Sequence, residues 1–155
     1  MNRLILRMTN VSGLAIALLA AMLLAAMLLA GCATSGVTYT ELQPKLAAPA
    51  AGQGRIFIYR TIVLGAAVQP SVKLNGVVVG SAVPRGFIYL DRPAGDYTIS
   101  TETEVTRTLS LTLAGQVRYV KLNIGIGFFV GHVYPELVGD TEGKSDIANC
   151  HLVSS

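Results

Sequence analysis

Two cysteines, two histidines and a close pair of glutamates are the side chains of this 155-residue chain with the most chemistry to offer. Cys32 follows Leu29-Ala30-Gly31 at the end of a long apolar run. A thiolate is a strong nucleophile and takes a diacylglycerol group as a stable thioether. Small residues such as Ala30 and Gly31 let a peptidase reach the bond before Cys32. Cleavage there makes Cys32 the new N-terminus, with an amine open to a further acyl chain. Each buried methylene contributes about 0.8 kcal/mol, and two chains anchor stably where one does not. With Cys32 lipidated, Cys150 stands alone and no intramolecular disulfide forms. Cys150 is expected as a buried small hydrophobe, with a reactive thiol as the other reading.

His132, His151 and Cys150 are three nominal zinc ligands without the paired spacing of zinc sites. Glu102 and Glu104 lie two residues apart on an expected strand, about 7 Å from each other on one face. That separation suits an inverting glycosidase, but such enzymes set their acids on opposite sides of a bound sugar. Two glutamates at a strand end are expected to be solvated. Ser145-Asp146 with His151 makes no hydrolase signature. Gly125-Ile126-Gly127 followed by Gly131 is not the dinucleotide spacing. No catalytic, metal-binding or cofactor-binding residue is assigned, and no cofactor is expected.

The segment before Cys32 sets its context. Arg3 and Arg7 precede a stretch from Val11 to Ala30 without charge, and every residue from Leu14 to Ala30 is Ala, Leu, Ile or Met. A basic start followed by an apolar region is the layout of a secretory signal. By length alone the run also fits a membrane-spanning helix of roughly 18 or more residues. The cysteine decides between them: Leu29-Ala30-Gly31-Cys32 resembles the lipobox of bacterial lipoproteins at all four positions. The resemblance implies a signal peptide over 1–31, peptidase recognition through Leu29, Ala30 and Gly31, and lipid on Cys32. Ala33 stands where Asp resembles an inner-membrane retention signal, so the expected place is the outer membrane, facing the periplasm.

Two of the 12 basic residues fall in that leader, and the remainder nearly balances the nine acids. A nearly neutral chain lacks the basic footprint of a nucleic-acid binder. Residues 32–53 hold Pro44, Pro49 and several Ala and Gly without sustained periodicity, which predicts a flexible tether. About 100 residues remain for one domain over 54–155.

That domain reads as β throughout. Gly54 to Arg60 is rich in β-branched and aromatic residues. Pro70 to Gly80 is a hairpin about Asn75-Gly76, the pair a type I′ turn requires because both residues need positive φ. The register then sets Leu74 against Val77, Val72 against Val79 and Lys73 against Val78. Phe87 to Leu90 is a strand, Pro93-Ala94-Gly95-Asp96 a turn, and a further strand starts at Tyr97 with Tyr97, Ile99 and Thr101 on one face. Leu109, Leu111 and Leu113 alternate inward. Val120, Leu122 and Ile124 share a face. Asp146 to Val153 is read as a short helix capped by Ser145, or a short last strand, with Ile147 and Cys150 on one side. Short strands with regular turns predict a small antiparallel β-sandwich. Core packing accounts for most of the aromatics Phe57, Tyr59, Phe87, Tyr89 and Tyr97.

Gly54-Arg55-Ile56-Phe57-Ile58-Tyr59-Arg60, the Asn75-Gly76 hairpin and Pro93-Ala94-Gly95-Asp96-Tyr97-Thr98-Ile99 together resemble a family of small bacterial lipoproteins of unknown function. The resemblance implies one sandwich related to PEGA-type and carboxypeptidase-regulatory modules, and no catalytic residues. The expected protein is a lipid-anchored, non-enzymatic binding or structural module of the cell envelope. Its partners are the membrane, through the anchor, and an envelope protein or polymer. The alternative is an envelope hydrolase acting on a glycan or peptide. Gly125 to Tyr134 departs from strand alternation and offers Phe128, Phe129, His132 and Tyr134 as the candidate binding surface; a last strand packed on the C-terminal tail is the other reading of it.

Overall fold

The run Gly54 to Arg60 is apolar at alternate and intervening positions alike, which is how a strand reads when both of its faces are covered. It forms the centre of a sheet in the computed structural model, which describes residues 36–125, 127 and 131–153. Strand β1 (Gln53–Arg60) is buried from Gly54 to Arg60. It pairs antiparallel with β4 (Gly86–Pro93), Tyr59 opposite Phe87, and parallel with β7 (Val117–Gly125), Tyr59 opposite Lys121. β8 (His132–Val138) extends the sheet beyond β7, and the two-residue β9 (His151–Leu152) pairs parallel with β4. The first sheet therefore runs β8-β7-β1-β4-β9. The second runs β3-β2-β5-β6, from β2 (Ser71–Leu74), β3 (Val77–Ser81), β5 (Gly95–Glu102) and β6 (Thr106–Leu113), all antiparallel. Two sheets face to face make the expected all-β sandwich, although the first sheet mixes parallel with antiparallel pairs.

Side chains between the sheets form the aliphatic core. Ile56, Ile58, Val120, Leu122 and Val133 come from the first sheet and Val72, Leu74, Ile99, Leu111 and Leu113 from the second. The face set by Tyr97, Ile99 and Thr101 points inward, and Leu111 and Leu113 are buried while Leu109 packs part-buried against them. A second core lies on the other face of the first sheet. Tyr39, Phe57, Tyr59, Phe87, Tyr119, Ile147 and Cys150 build it. Phe57 stacks on Tyr119 at 5.4 Å, and Tyr39 meets Phe57 edge-on at 5.3 Å. Offset and edge-on contacts of this kind favour the electrostatics of aromatic rings.

Three differences from the expected elements have local causes. Residues 36–46 do not stand clear of the domain as a tether would. Helix α1 (Tyr39–Leu42) opens with a capping box in which Thr38 and Glu41 serve each other's backbone N–H, and a 3₁₀ turn follows at Gln43–Lys45. Tyr39 is buried, and Leu42 and Leu46 pack against the aromatic core. The helix expected from Asp146 instead forms earlier, as α2 (Asp140–Ile147), with Ser145 inside it and Gly139 as its cap. Asp140 and Glu142 in its first turn favour the positive helix end. The strand alternative holds at His151–Leu152. Thirdly, the hairpin slips between Val72 and Lys73: Leu74 faces Val77 and Lys73 faces Val78, but Val72 faces Gly80 in place of Val79. Pro93 to Asp96 also carries the chain from one sheet to the other, since β4 and β5 belong to different sheets.

Candidate functional site

Cys32 and the recognition residues Leu29, Ala30 and Gly31 lie outside the described residues, as do Phe128 and Phe129. His132 and Tyr134 open β8, and the structure brings both to one hollow. β8 closes one edge of the first sheet and β6 one edge of the second, so the hollow forms where these edges meet. It measures about 400 Å³ and is lined by Arg107 and Thr108 of β6, Gly125 of β7, and His132, Tyr134 and Pro135 of β8. Val133, between His132 and Tyr134, is fully buried, and its carbonyl accepts a 2.6 Å hydrogen bond from the buried Thr101 hydroxyl. That bond ties β5 to β8 across the layers and sets the height of His132. The Tyr134 ring lies beside Gly125 of β7, where a Cβ would meet it at 3.4 Å, an ordinary contact distance.

His132 also reaches the turn between β5 and β6. Its Nδ1 lies 3.2 Å from the Thr103 hydroxyl and its Nε2 3.8 Å from the Glu104 carboxylate. A second hollow of about 420 Å³ adjoins that turn, lined by Val68, Gln69, Pro70, Glu102, Thr103 and Glu104. Glu102 and Glu104 are not side by side on a strand. β5 ends at Glu102, whose carboxylate meets Lys73 at 3.0 Å, while Glu104 sits in the turn beside His132. Arg107 and Thr108 escape sequence reasoning because they reach the hollow only through the meeting of β6 and β8. Their one trace is position: both lie on exposed sites beside the inward leucines.

The groups with the most altered acid–base behaviour are engaged inside the fold. Burial pushes the Cys150 thiol up to about 11, so it is protonated at neutral pH. Its Sγ contacts the Arg60 carbonyl at 3.8 Å. Burial, and then Asp146, hold the Tyr59 phenol above its ordinary value. Asp146 in turn meets Lys121 at 2.6 Å, and that hydrogen bond keeps the Lys121 ammonium above its usual range. Arg55 donates from Nε and Nη2 to Asp91 at 2.6 and 2.7 Å, and stands over the Tyr89 ring. His151 Nδ1 lies 2.8 Å from the Gly36 carbonyl, far from the hollow in sequence and on the β9 edge. Among the described residues no group of three His, Cys, Asp or Glu side chains could hold a metal ion. Among them, too, no helix is long and apolar enough to cross a membrane.

Residues 50–133 match the model of a family described as "Protein of unknown function (DUF2846)". A protein of Haemophilus influenzae described as uncharacterized is 28% identical over 129 residues, covering 80% of this chain and 77% of that protein. No solved structure matches the chain.

Proposed function

We propose, for a chain that belongs to the DUF2846 family of unknown function, that it is a lipid-anchored envelope module which binds a partner without catalysing a reaction on it. The observation that carries this reading is the cysteine motif itself: Leu29-Ala30-Gly31-Cys32 closes a charge-free run behind Arg3 and Arg7. The motif supplies the nucleophile, the small residues a peptidase needs and a basic leader in one segment. Ala33 after the cysteine supports the outer membrane as its destination, facing the periplasm. The perturbed acids and bases, Tyr59, Cys150, Asp91 and Lys121, serve internal contacts, which supports binding over chemistry. The hollow between β6 and β8 offers Arg107, His132 and the half-exposed Tyr134, a mix of cation, imidazole and aromatic ring suited to an envelope protein or polymer.

Feeding cells a fatty-acid analogue should label the wild-type chain and leave Cys32→Ala unlabelled. Equal labelling of the two would remove the anchor. A photo-crosslinking side chain at position 134 should capture the partner in intact cells. Arg107→Ser should abolish that capture without lowering the melting temperature. Capture unaffected by Arg107→Ser would move the binding surface elsewhere.

A further inference from the structure

The loop between β1 and β2 is held by an arginine that spends four of its five hydrogen bonds on it. Arg60 is fully buried. Its guanidinium has five N–H donors in a rigid fork. Nε donates to the Ile62 carbonyl at 3.1 Å. Nη1 donates to Val68 at 2.7 Å and Ala82 at 2.9 Å, and Nη2 to Leu64 at 2.9 Å and Gly65 at 3.0 Å. Four of these five carbonyls belong to the loop. Ordering so short a loop this thoroughly would be expected to hide apolar groups, yet it displays them: Val63 is 52% and Leu64 78% exposed. No charged residue lies between Thr61 and Val72. A preorganised, uncharged loop with two large apolar side chains held out is built to meet an apolar or interfacial surface.

The place where the described fold begins says which surface. Gly36 packs against Leu152 of β9. Leu152 is opposite Phe87, and Phe87 opposite Tyr59, the residue before Arg60. The chain through Gly36 and Thr38 runs antiparallel to β9 on its far side, so Gly36 lies about two residues back from the level of Arg60, nearer the loop end of β1 than the other, and three strand spacings away, about 14 Å. Gly36 is four positions after Cys32. A chain spans at most about 3.6 Å per residue, so the sulfur-bearing residue stays within about 14 Å of Gly36. The exposed Arg85, whose carbonyl accepts from His151 N–H at 2.7 Å, lies at the same end and suits an anionic headgroup layer.

We infer that the Arg60-held loop 61–69 is a membrane-contact loop, which lays Val63 and Leu64 into the headgroup layer of the bilayer that holds the lipid on Cys32. This rests on the anchor proposed above, and it fixes which end of the sandwich faces the lipid. Two apolar side chains are a weak hold alone. With the chain already tethered, they orient the module and leave the opposite end, at the β6–β7 turn, towards the periplasm.

The test uses the full, processed chain in vesicles of phosphatidylethanolamine and phosphatidylglycerol carrying a nitroxide-headgroup lipid. Leu64→Cys, Val78→Cys and Ala114→Cys are each labelled with a small environment-sensitive fluorophore; Cys150 is buried and stays unlabelled. Val78 is on the exposed edge strand β3, and Ala114 is in the turn at the far end. The mass of the N-terminal peptide reports the lipid on Cys32 in the same preparation. Loss of fluorescence at position 64, with none at 78 or 114, is the expected result. With lipid on Cys32, an unquenched position 64 overturns the loop and spares the anchor. Quenching at 78 in its place puts the β3 edge on the membrane and likewise overturns the loop. An N-terminal peptide without lipid overturns the anchor and the inference with it.

Discussion

Arg55 and Arg60 stand at the two ends of β1, and each meets a different problem of burial. Arg60 answers it with peptide carbonyls, as described above. Arg55 answers it with Asp91, through two parallel N–H donors, and spends a further Nη2 bond at 2.8 Å on the Ala47 carbonyl of the N-terminal segment. The hydrogen bonds from Arg55 hold the Asp91 carboxyl below the usual carboxylate range. A folded value below the unfolded one means that the unfolded chain binds its proton first as pH falls. The pair's contribution is therefore fully present above about pH 4 and is lost as pH drops through the depressed folded value. Asp91→Asn should cost about 1–3 kcal/mol at neutral pH, because it leaves a nearly buried guanidinium facing an amide. Urea melts of the leaderless chain between about pH 7 and pH 2 should show that difference shrinking towards the acid end. A difference that stays constant over the range would mean that Asp91 is not held in its charged form by Arg55.

Helix α2 shows how an element is fixed by what it touches. Gly143 is buried in its middle, and a Cβ there would run into the Tyr119 ring. In an exposed helix, Gly to Ala gains about 1 kcal/mol. Here Gly143→Ala should lose about 1–3 kcal/mol, because the aromatic core must give way. A thermal melt decides it; a variant more stable than wild type would place the helix off the sheet. The same glycine explains why the sequence hides this helix, since glycine and three acids in eight residues carry little helical signal. The N-terminal segment is hidden for another reason. Its anchors Tyr39, Leu42 and Leu46 are sparse among Pro, Ala and Gly, and nothing local says that an aromatic face awaits them. Strands were legible where one face is covered, as at Leu109, Leu111 and Leu113. The Asn75-Gly76 turn was legible because its backbone demand is local, with φ of 49° and 82°. The second role of Asn75 was not: its Oδ1 accepts the Thr98 N–H at 2.8 Å, across to β5. At the candidate site, His132 and Tyr134 could be read from the break in alternation. Arg107 could not, since the approach of β6 to β8 is a property of the layers.

At the scale of the molecule, the two cores divide the chain's tasks. The aliphatic core joins the sheets. The aromatic core fastens residues 36–46 and α2 to the outer face of the first sheet, so the fold begins almost at the proposed lipid. A tether over residues 32–53 would accept added length anywhere along it. The packed segment makes a sharper forecast. A Gly/Ser insert of about ten residues placed between Ser35 and Gly36 should leave the melting temperature unchanged. It would add roughly 15–20 Å of flexible reach between lipid and fold. The same insert placed after Leu42 separates Tyr39 from Leu46. It breaks the run into the 3₁₀ turn and puts at risk the burial of Tyr39 against Phe57 and Phe87. Loosening a buried aromatic of this size costs up to about 3–5 kcal/mol if the contact is lost outright. The second insert should therefore lower the melting temperature clearly while fatty-acid labelling of Cys32 persists in both. Equal melting temperatures for the two inserts would show that residues 36–46 add nothing to the fold. The lipid would then hold the sandwich on a long leash, free to turn any face to the membrane.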